Sequence, residues 1–86
     1  MAYEVVLSRK AEKFLAGLRD ERLRSRIEEA LDGLSQNPRP AGAKQLTASD
    51  GIQRIRVGDF RILYTIQDTR LLVLVLDIAN RREAYR

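Results

Sequence analysis

Apolar and polar residues alternate through Ile52-Gln53-Arg54-Ile55-Arg56-Val57 and resume after Gly58-Asp59 as Phe60-Arg61-Ile62-Leu63-Tyr64. Period two on both sides of a two-residue break predicts a β-hairpin with one buried face. The turn would pair Val57 with Phe60, Arg56 with Arg61 and Arg54 with Leu63. Glycine at its first position suits the type II′ geometry that hairpins prefer. Ile55, Val57, Phe60, Ile62 and Tyr64 then share one face, and Arg54, Arg56 and Arg61 share the other.

The rest of the chain supplies what that hairpin packs on. Tyr3-Glu4-Val5-Val6-Leu7 predicts a short first strand, with Ser8 as the N-cap of a helix carrying Ala11, Phe14, Leu15 and Leu18 on one side. Arg19-Asp20 breaks that pattern. A second helix aligns Leu23, Ile27, Ala30, Leu31 and Leu34, and its mixed charges, Arg22, Arg24, Arg26, Glu28, Glu29 and Asp32, form a solvated outer face. Two prolines and a glycine in Ser35 to Gly42 end the helical run. Lys44 follows, and Thr47-Ala48-Ser49-Asp50-Gly51 reads as a polar turn into the hairpin. After a further turn at Gln67-Asp68-Thr69, the nearly continuous apolar run Leu71 to Ile78 predicts a strand buried on both faces. The expected architecture is α+β, in the order β-α-α-β-β-β, as one domain spanning residues 1–86. A helical hairpin covers one face of a curved antiparallel sheet and leaves the arginine face open as a basic, concave floor.

Composition narrows the chemistry. The 86 residues include no cysteine and no histidine, which removes thiolate and imidazole metal sites, cysteine nucleophiles and any histidine base. No cofactor or metal is expected. No apolar run approaches a membrane span and the start lacks a signal-peptide pattern, so the cytoplasm is the expected location. The net charge of +4 lies mainly in the second half: residues 1–50 carry nine basic and eight acidic side chains, residues 51–86 seven and four. An excess of cations on the strand-rich half favours a polyanionic partner.

Like charges directly across a ladder are destabilising, so three arginines on one hairpin face suggest an anion that offsets the repulsion. The planar guanidinium fork matches phosphate oxygens and stays charged at every relevant pH. Asp59, Asp77 and Glu83 are the carboxylates that would otherwise neutralise these arginines locally. The last residues, Arg81-Arg82-Glu83-Ala84-Tyr85-Arg86, add three cations and a tyrosine beyond the long strand. An aromatic ring beside guanidiniums can stack on a base while the cations hold flanking phosphates. Alternatively, Tyr85 packs the terminus down.

Taken together, Asn37-Pro38-Arg39-Pro40, Lys44-Gln45-Leu46, the block Arg54-Ile55-Arg56-Val57-Gly58-Asp59-Phe60-Arg61-Ile62-Leu63-Tyr64 and the terminal Arg81 to Arg86 resemble the RelE/ParE toxins of bacterial type II toxin–antitoxin pairs. The resemblance runs the length of the chain and is closer to the RelE branch. That branch implies a ribosome-dependent endoribonuclease that cuts translated mRNA in the decoding site; the ParE branch implies a toxin that inhibits DNA gyrase instead. Carried over residue by residue, the resemblance makes Arg54, Arg56, Arg61, Arg81 and Tyr85 the catalytic set, with Arg82 as the alternative to Arg81. Lys44, Arg82 and Arg86 become RNA-binding residues. It also implies a cognate antitoxin as partner, for which Leu72, Leu74 and Leu76 offer apolar surface, and the ribosome with its mRNA as target. The chain departs from the pattern at Ala79-Asn80, where many relatives carry histidine or lysine. A neutral amide supplies no proton there, so charge stabilisation carries more of the implied chemistry.

Overall fold

The computed structural model describes residues 2–47 and 51–80. Seven elements follow in chain order: β1 (Glu4–Leu7), α1 (Arg9–Gly17), α2 (Glu21–Gln36), β2 (Lys44–Thr47), β3 (Ile52–Val57), β4 (Phe60–Gln67) and β5 (Leu72–Asn80). They form one five-stranded curved sheet in the order β1-β5-β4-β3-β2, with both helices packed against it. The α+β architecture is the expected one, with two differences. Lys44 to Thr47 is a strand, antiparallel to β3, where a loop was expected. β1 pairs parallel with β5, so the sheet is mixed rather than wholly antiparallel. The parallel pairing follows from the helical crossover: α1, α2 and the hairpin intervene before β5 returns beside β1, and a long connection is what parallel neighbours require.

Local chemistry sets the boundaries. Ser8 caps α1 by accepting a hydrogen bond from the Ala11 N–H at 3.1 Å, and its hydroxyl donates to the Leu76 carbonyl at 2.7 Å, fastening the helix start to β5. Asp20 caps α2 in the same way, through the Leu23 N–H at 3.1 Å. Arg24 closes the junction between the helices by donating to the Leu18 carbonyl.

The core gathers the apolar face of each element: Ala11 from α1, Ile27, Leu31 and Leu34 from α2, and Ile55, Val57, Ile62, Tyr64, Val73, Val75 and Ile78 from the sheet. Phe14 of α1 meets Phe60 with ring centroids 5.4 Å apart at 56°, a tilted contact that seats the helix on the hairpin. On β5 the buried positions run Val73, Val75 and then Ile78, because the β4–β5 register shifts between Leu63–Asp77 and Tyr64–Val75. This β-bulge moves the inward set by one residue. Leu72, Leu74 and Leu76 are half-buried, so β5 is fully covered on the helix side only.

At the other end of the sheet, a polar cluster pins the chain after α2. The Tyr64 hydroxyl, fully buried, donates to the Pro38 carbonyl at 2.8 Å. Arg39 grips Asp68 with both guanidinium arms, at 3.2 and 2.9 Å, and the Tyr3 hydroxyl donates to the same carboxylate at 2.7 Å. Donors from Arg39 first, and then Tyr3, hold the Asp68 carboxyl down to about 2.

Candidate functional site

The hairpin register is the predicted one: Val57 opposite Phe60, Arg56 opposite Arg61, Arg54 opposite Leu63. Gly58 sits at φ +60° and is the turn's only left-handed residue, which is the type II′ arrangement. Arg54, Arg56 and Arg61 therefore project from one face, opposite Ile55, Val57 and Ile62, which face the helices. β2 adds a fourth cation to that face, because Lys44 is the partner of Arg54 across the β2–β3 ladder. Residues directly opposite across an antiparallel pair lie roughly 4.5–5.5 Å apart. The pair Lys44–Arg54 and the pair Arg56–Arg61 thus form a compact cationic patch on the side of the sheet away from α1 and α2.

The patch is graded rather than uniformly open. Arg56 and Lys44 are exposed, Arg54 is half-buried, and Arg61 is only 5% exposed. The expected open floor of three guanidiniums is corrected accordingly. β4 is the central strand, and Arg61 has Arg56 on one side and Ala79 of β5 on the other. Arg56 lies beyond the start of β2, where β3 has a neighbouring strand on one side only among the described residues. A guanidinium enclosed in this way acts through a lower effective dielectric than an exposed one, and its field on a nearby phosphate is correspondingly stronger.

Of the carboxylates considered as local partners, Asp77 pairs with Lys10 of α1 at 3.3 Å. Asp59 lies in the turn, in a hollow shared with Asp20, Arg22 and Arg26. Glu83 lies outside the described residues, as do Arg81, Arg82, Tyr85 and Arg86. β5 ends at Asn80, whose cross-strand partner is Phe60, and Ala79 stands opposite Arg61. Of the two positions at which the chain departs from its resemblance, Ala79 is thus the cross-strand neighbour of the buried arginine, and Asn80 is paired one step along with Phe60.

Two tyrosines and one arginine are committed elsewhere. Tyr64 faces the helix side, and burial raises its pKa. Tyr3 is raised as well, chiefly by its hydrogen bond to Asp68. Arg39 serves the clamp on Asp68, which follows the end of β4, and six residues of that strand, roughly 20 Å at strand rise, separate Arg61 from Gln67. None of these joins the patch. Sequence reasoning did not place Lys44 on a strand in register with Arg54; the β-branched Thr47 and the alternation of Gln45 and Leu46 were the available signals.

The model of the family described as ParE toxin of type II toxin–antitoxin systems, parDE, matches residues 5–85. The protein called RelE1 in Methanocaldococcus jannaschii is 28% identical, with 100% of this chain and 98% of that protein covered. Among solved structures, the archaeal RelE–RelB complex from Pyrococcus horikoshii superposes with a TM-score of 0.81 at 24% identity, covering 94% of this chain and 97% of that one. The toxin–antitoxin complex RelBE2 of Mycobacterium tuberculosis gives 0.77 at 29% identity, covering 94% and 93%.

Proposed function

The chain belongs to the ParE toxin family of type II toxin–antitoxin systems, and from that premise we propose that this toxin is a ribosome-dependent endoribonuclease. It cleaves mRNA in the decoding site and is held silent by a cognate antitoxin. The observation that carries the reading is the register that sets Arg56 against Arg61 and Lys44 against Arg54 on the helix-free face. The complexes of the Pyrococcus and Mycobacterium relatives with their antitoxins support the partner.

The reaction is internal transesterification. The 2′-oxygen of one nucleotide bonds to the adjacent phosphorus, the bond from phosphorus to the 5′-oxygen breaks, and the products are a 2′,3′-cyclic phosphate and a 5′-hydroxyl. A base takes the 2′-hydroxyl proton, cations stabilise the charge on the phosphoryl oxygens, and the leaving oxygen gains a proton. Arg61 is the principal charge stabiliser, because its enclosure lets it act with little screening and holds it in place before substrate arrives. Arg54 and Arg56 orient the scissile phosphate, and Lys44, Arg82 and Arg86 hold flanking ones. Arg81 joins the charge-stabilising set, and Tyr85 is the base, since cations brought close to a phenol favour its phenolate. Arginine above pKa about 12 is a poor proton carrier, so Arg54 and Arg56 stabilise the leaving oxygen while solvent in the decoding site protonates it.

Expression of the Arg61→Ala, Tyr85→Phe double variant tests this assignment. Growth arrest disappears while the antitoxin still binds; undiminished arrest would sink the nuclease reading.

A further inference from the structure

β2 accompanies β3 only as far as Arg54. The chain enters β2 through a turn closed by the Ala43 N–H on the Pro40 carbonyl at 3.0 Å, with Gly42 left-handed at φ +93°, so the ladder begins at Lys44. Beyond Arg54, β3 has β4 on one side and no described strand on the other. A two-residue hairpin closes with a doubly bonded pair, here Val57 and Phe60, and the pattern alternates along the strand. The Arg56 N–H and C=O therefore point away from β4, the one donor and one acceptor that this short edge offers before the turn. Beside them lies a groove of about 410 Å³. Ala30 and Gly33 of α2 form one wall, Pro40, Ala41 and Gly42 the other, and the buried Ile55 and exposed Arg56 lie between. Ile55 and Arg56 point to opposite faces of β3, so the groove runs round the sheet edge from the arginine face to α2.

The size and chemistry of this groove match a nucleobase. Its volume falls in the range of small-ligand clefts, roughly 300–1,000 Å³, whose apolar walls carry a few placed polar groups. Every base sets a hydrogen-bond donor beside an acceptor, as adenine does with its amino group and N7, and one strand residue's N–H and C=O complement such a pair. A peptide added as a strand uses several rungs in succession, whereas a single rung is free here. Gly33 keeps one wall flat. Glycine weakens a helix interior relative to alanine, yet a Cβ at Gly33 would meet nothing within 4 Å, so no described residue requires its small size. The space beside it is open to a group from outside, and a planar ring uses a flat wall fully. Arg56 fixes which base that is: the residue that orients the scissile phosphate also lines the groove, and a base is joined to its phosphate through a single ribose.

We infer that this groove receives the base of a nucleotide next to the scissile phosphate, swung round the β3 edge, with its polar edge on the Arg56 N–H and C=O and its ring between Gly33 and Pro40. The inference rests on the nuclease reading for the phosphate that the Arg56 side chain holds. It makes Gly33 and the 40–42 loop positioning residues: they hold the nucleotide while its phosphate lies against the arginines, and they touch none of the reacting atoms.

Amide hydrogen exchange of the wild-type chain tests the base site. It is read with a single-stranded 2′-O-methyl RNA oligonucleotide, whose blocked 2′-oxygens prevent cleavage, and with an abasic strand carrying the same phosphates. The base-bearing strand slows exchange at Arg56, Ala41 and Gly42 by about tenfold or more, and the abasic strand leaves those amides at free-chain rates. Equal rates with the two strands, or slowing by the antitoxin and not by RNA, would overturn the proposal. Gly33→Leu, with its helix content checked by circular dichroism, fills the space beside the wall. It weakens binding of the base-bearing strand by about tenfold, the scale of one lost base contact, and leaves binding of the abasic strand unchanged. A loss shared by both strands, or none, also overturns it. Cleavage of translated mRNA by the wild-type chain is scored separately: protection of the groove without cleavage refutes the nuclease reading alone, and cleavage without protection refutes the base site alone.

Discussion

Arg61 and Arg56 face each other across one ladder position, yet their environments predict very different contributions. Replacing each separately with methionine removes the charge while keeping most of the aliphatic stem. At about 4 Å from a phosphate oxygen, a unit charge contributes about 4 kcal/mol at an effective dielectric near 20 and about 1 kcal/mol in bulk water. Arg61, at 5% exposure, belongs near the first case, and the exposed Arg56 near the second. The difference of about 3 kcal/mol corresponds to roughly two orders of magnitude in rate, since about 1.4 kcal/mol is tenfold. Arg61→Met should therefore cut the first-order rate of mRNA cleavage on programmed ribosomes by about 10²–10³, the size of a lost preorganised donor. Arg56→Met should cut it by about tenfold or less. Single-turnover cleavage with toxin in excess isolates the chemical step from RNA binding. Both variants are read well below their own melting midpoints, so that unfolding does not enter. Equal losses in the two variants, or a larger loss at Arg56, would refute the argument from burial.

Three further outcomes follow from the same structure. Tyr64→Phe strips the Pro38 carbonyl of its buried donor and should cost about 1–3 kcal/mol, seen as a lower midpoint in urea unfolding with an unchanged slope. Gly58→Ala forces a side chain into φ +60° beside the Arg26 guanidinium, 3.4 Å from the new methyl, and should cost about 1–2 kcal/mol by the same measurement. Asp68 has its pKa depressed to about 2 from 3.8, so the clamp's contribution is present above pH 4 and is lost as pH falls toward 2. The melting temperature of Asp68→Asn should accordingly vary less with pH across that window than that of the wild type.

Much of the hairpin was legible because three independent signals agree on it. Alternation chose the face, the two-residue break chose the register, and glycine at the first turn position chose the turn type. The same holds for Ser8, whose hydroxyl sits where an apolar helical period begins. What escaped the linear pattern depends on neighbours distant in sequence. Lys44 to Thr47 is too short to show a period of its own, and only β3 makes it a strand. β1 carries no mark of direction in its residues, and its parallel pairing comes from the crossover. The bulge at Leu76 shifts the inward set to Ile78, which an unbroken period of two places outward. Arg61 reads as a surface cation because its neighbours alternate, but on the central strand it is buried. Gly33 has no signature in sequence at all, since its interest lies in the space beside it.

If the arginine face on the side away from α1 and α2 cuts RNA, the cuts must appear in translated messages. Primer extension on mRNA from cells expressing the chain tests it most directly. The expected result is 5′ ends inside translated codons, absent from untranslated regions and lost in Arg61→Met. Intact mRNA accompanied by gyrase-trapped DNA breaks would contradict it.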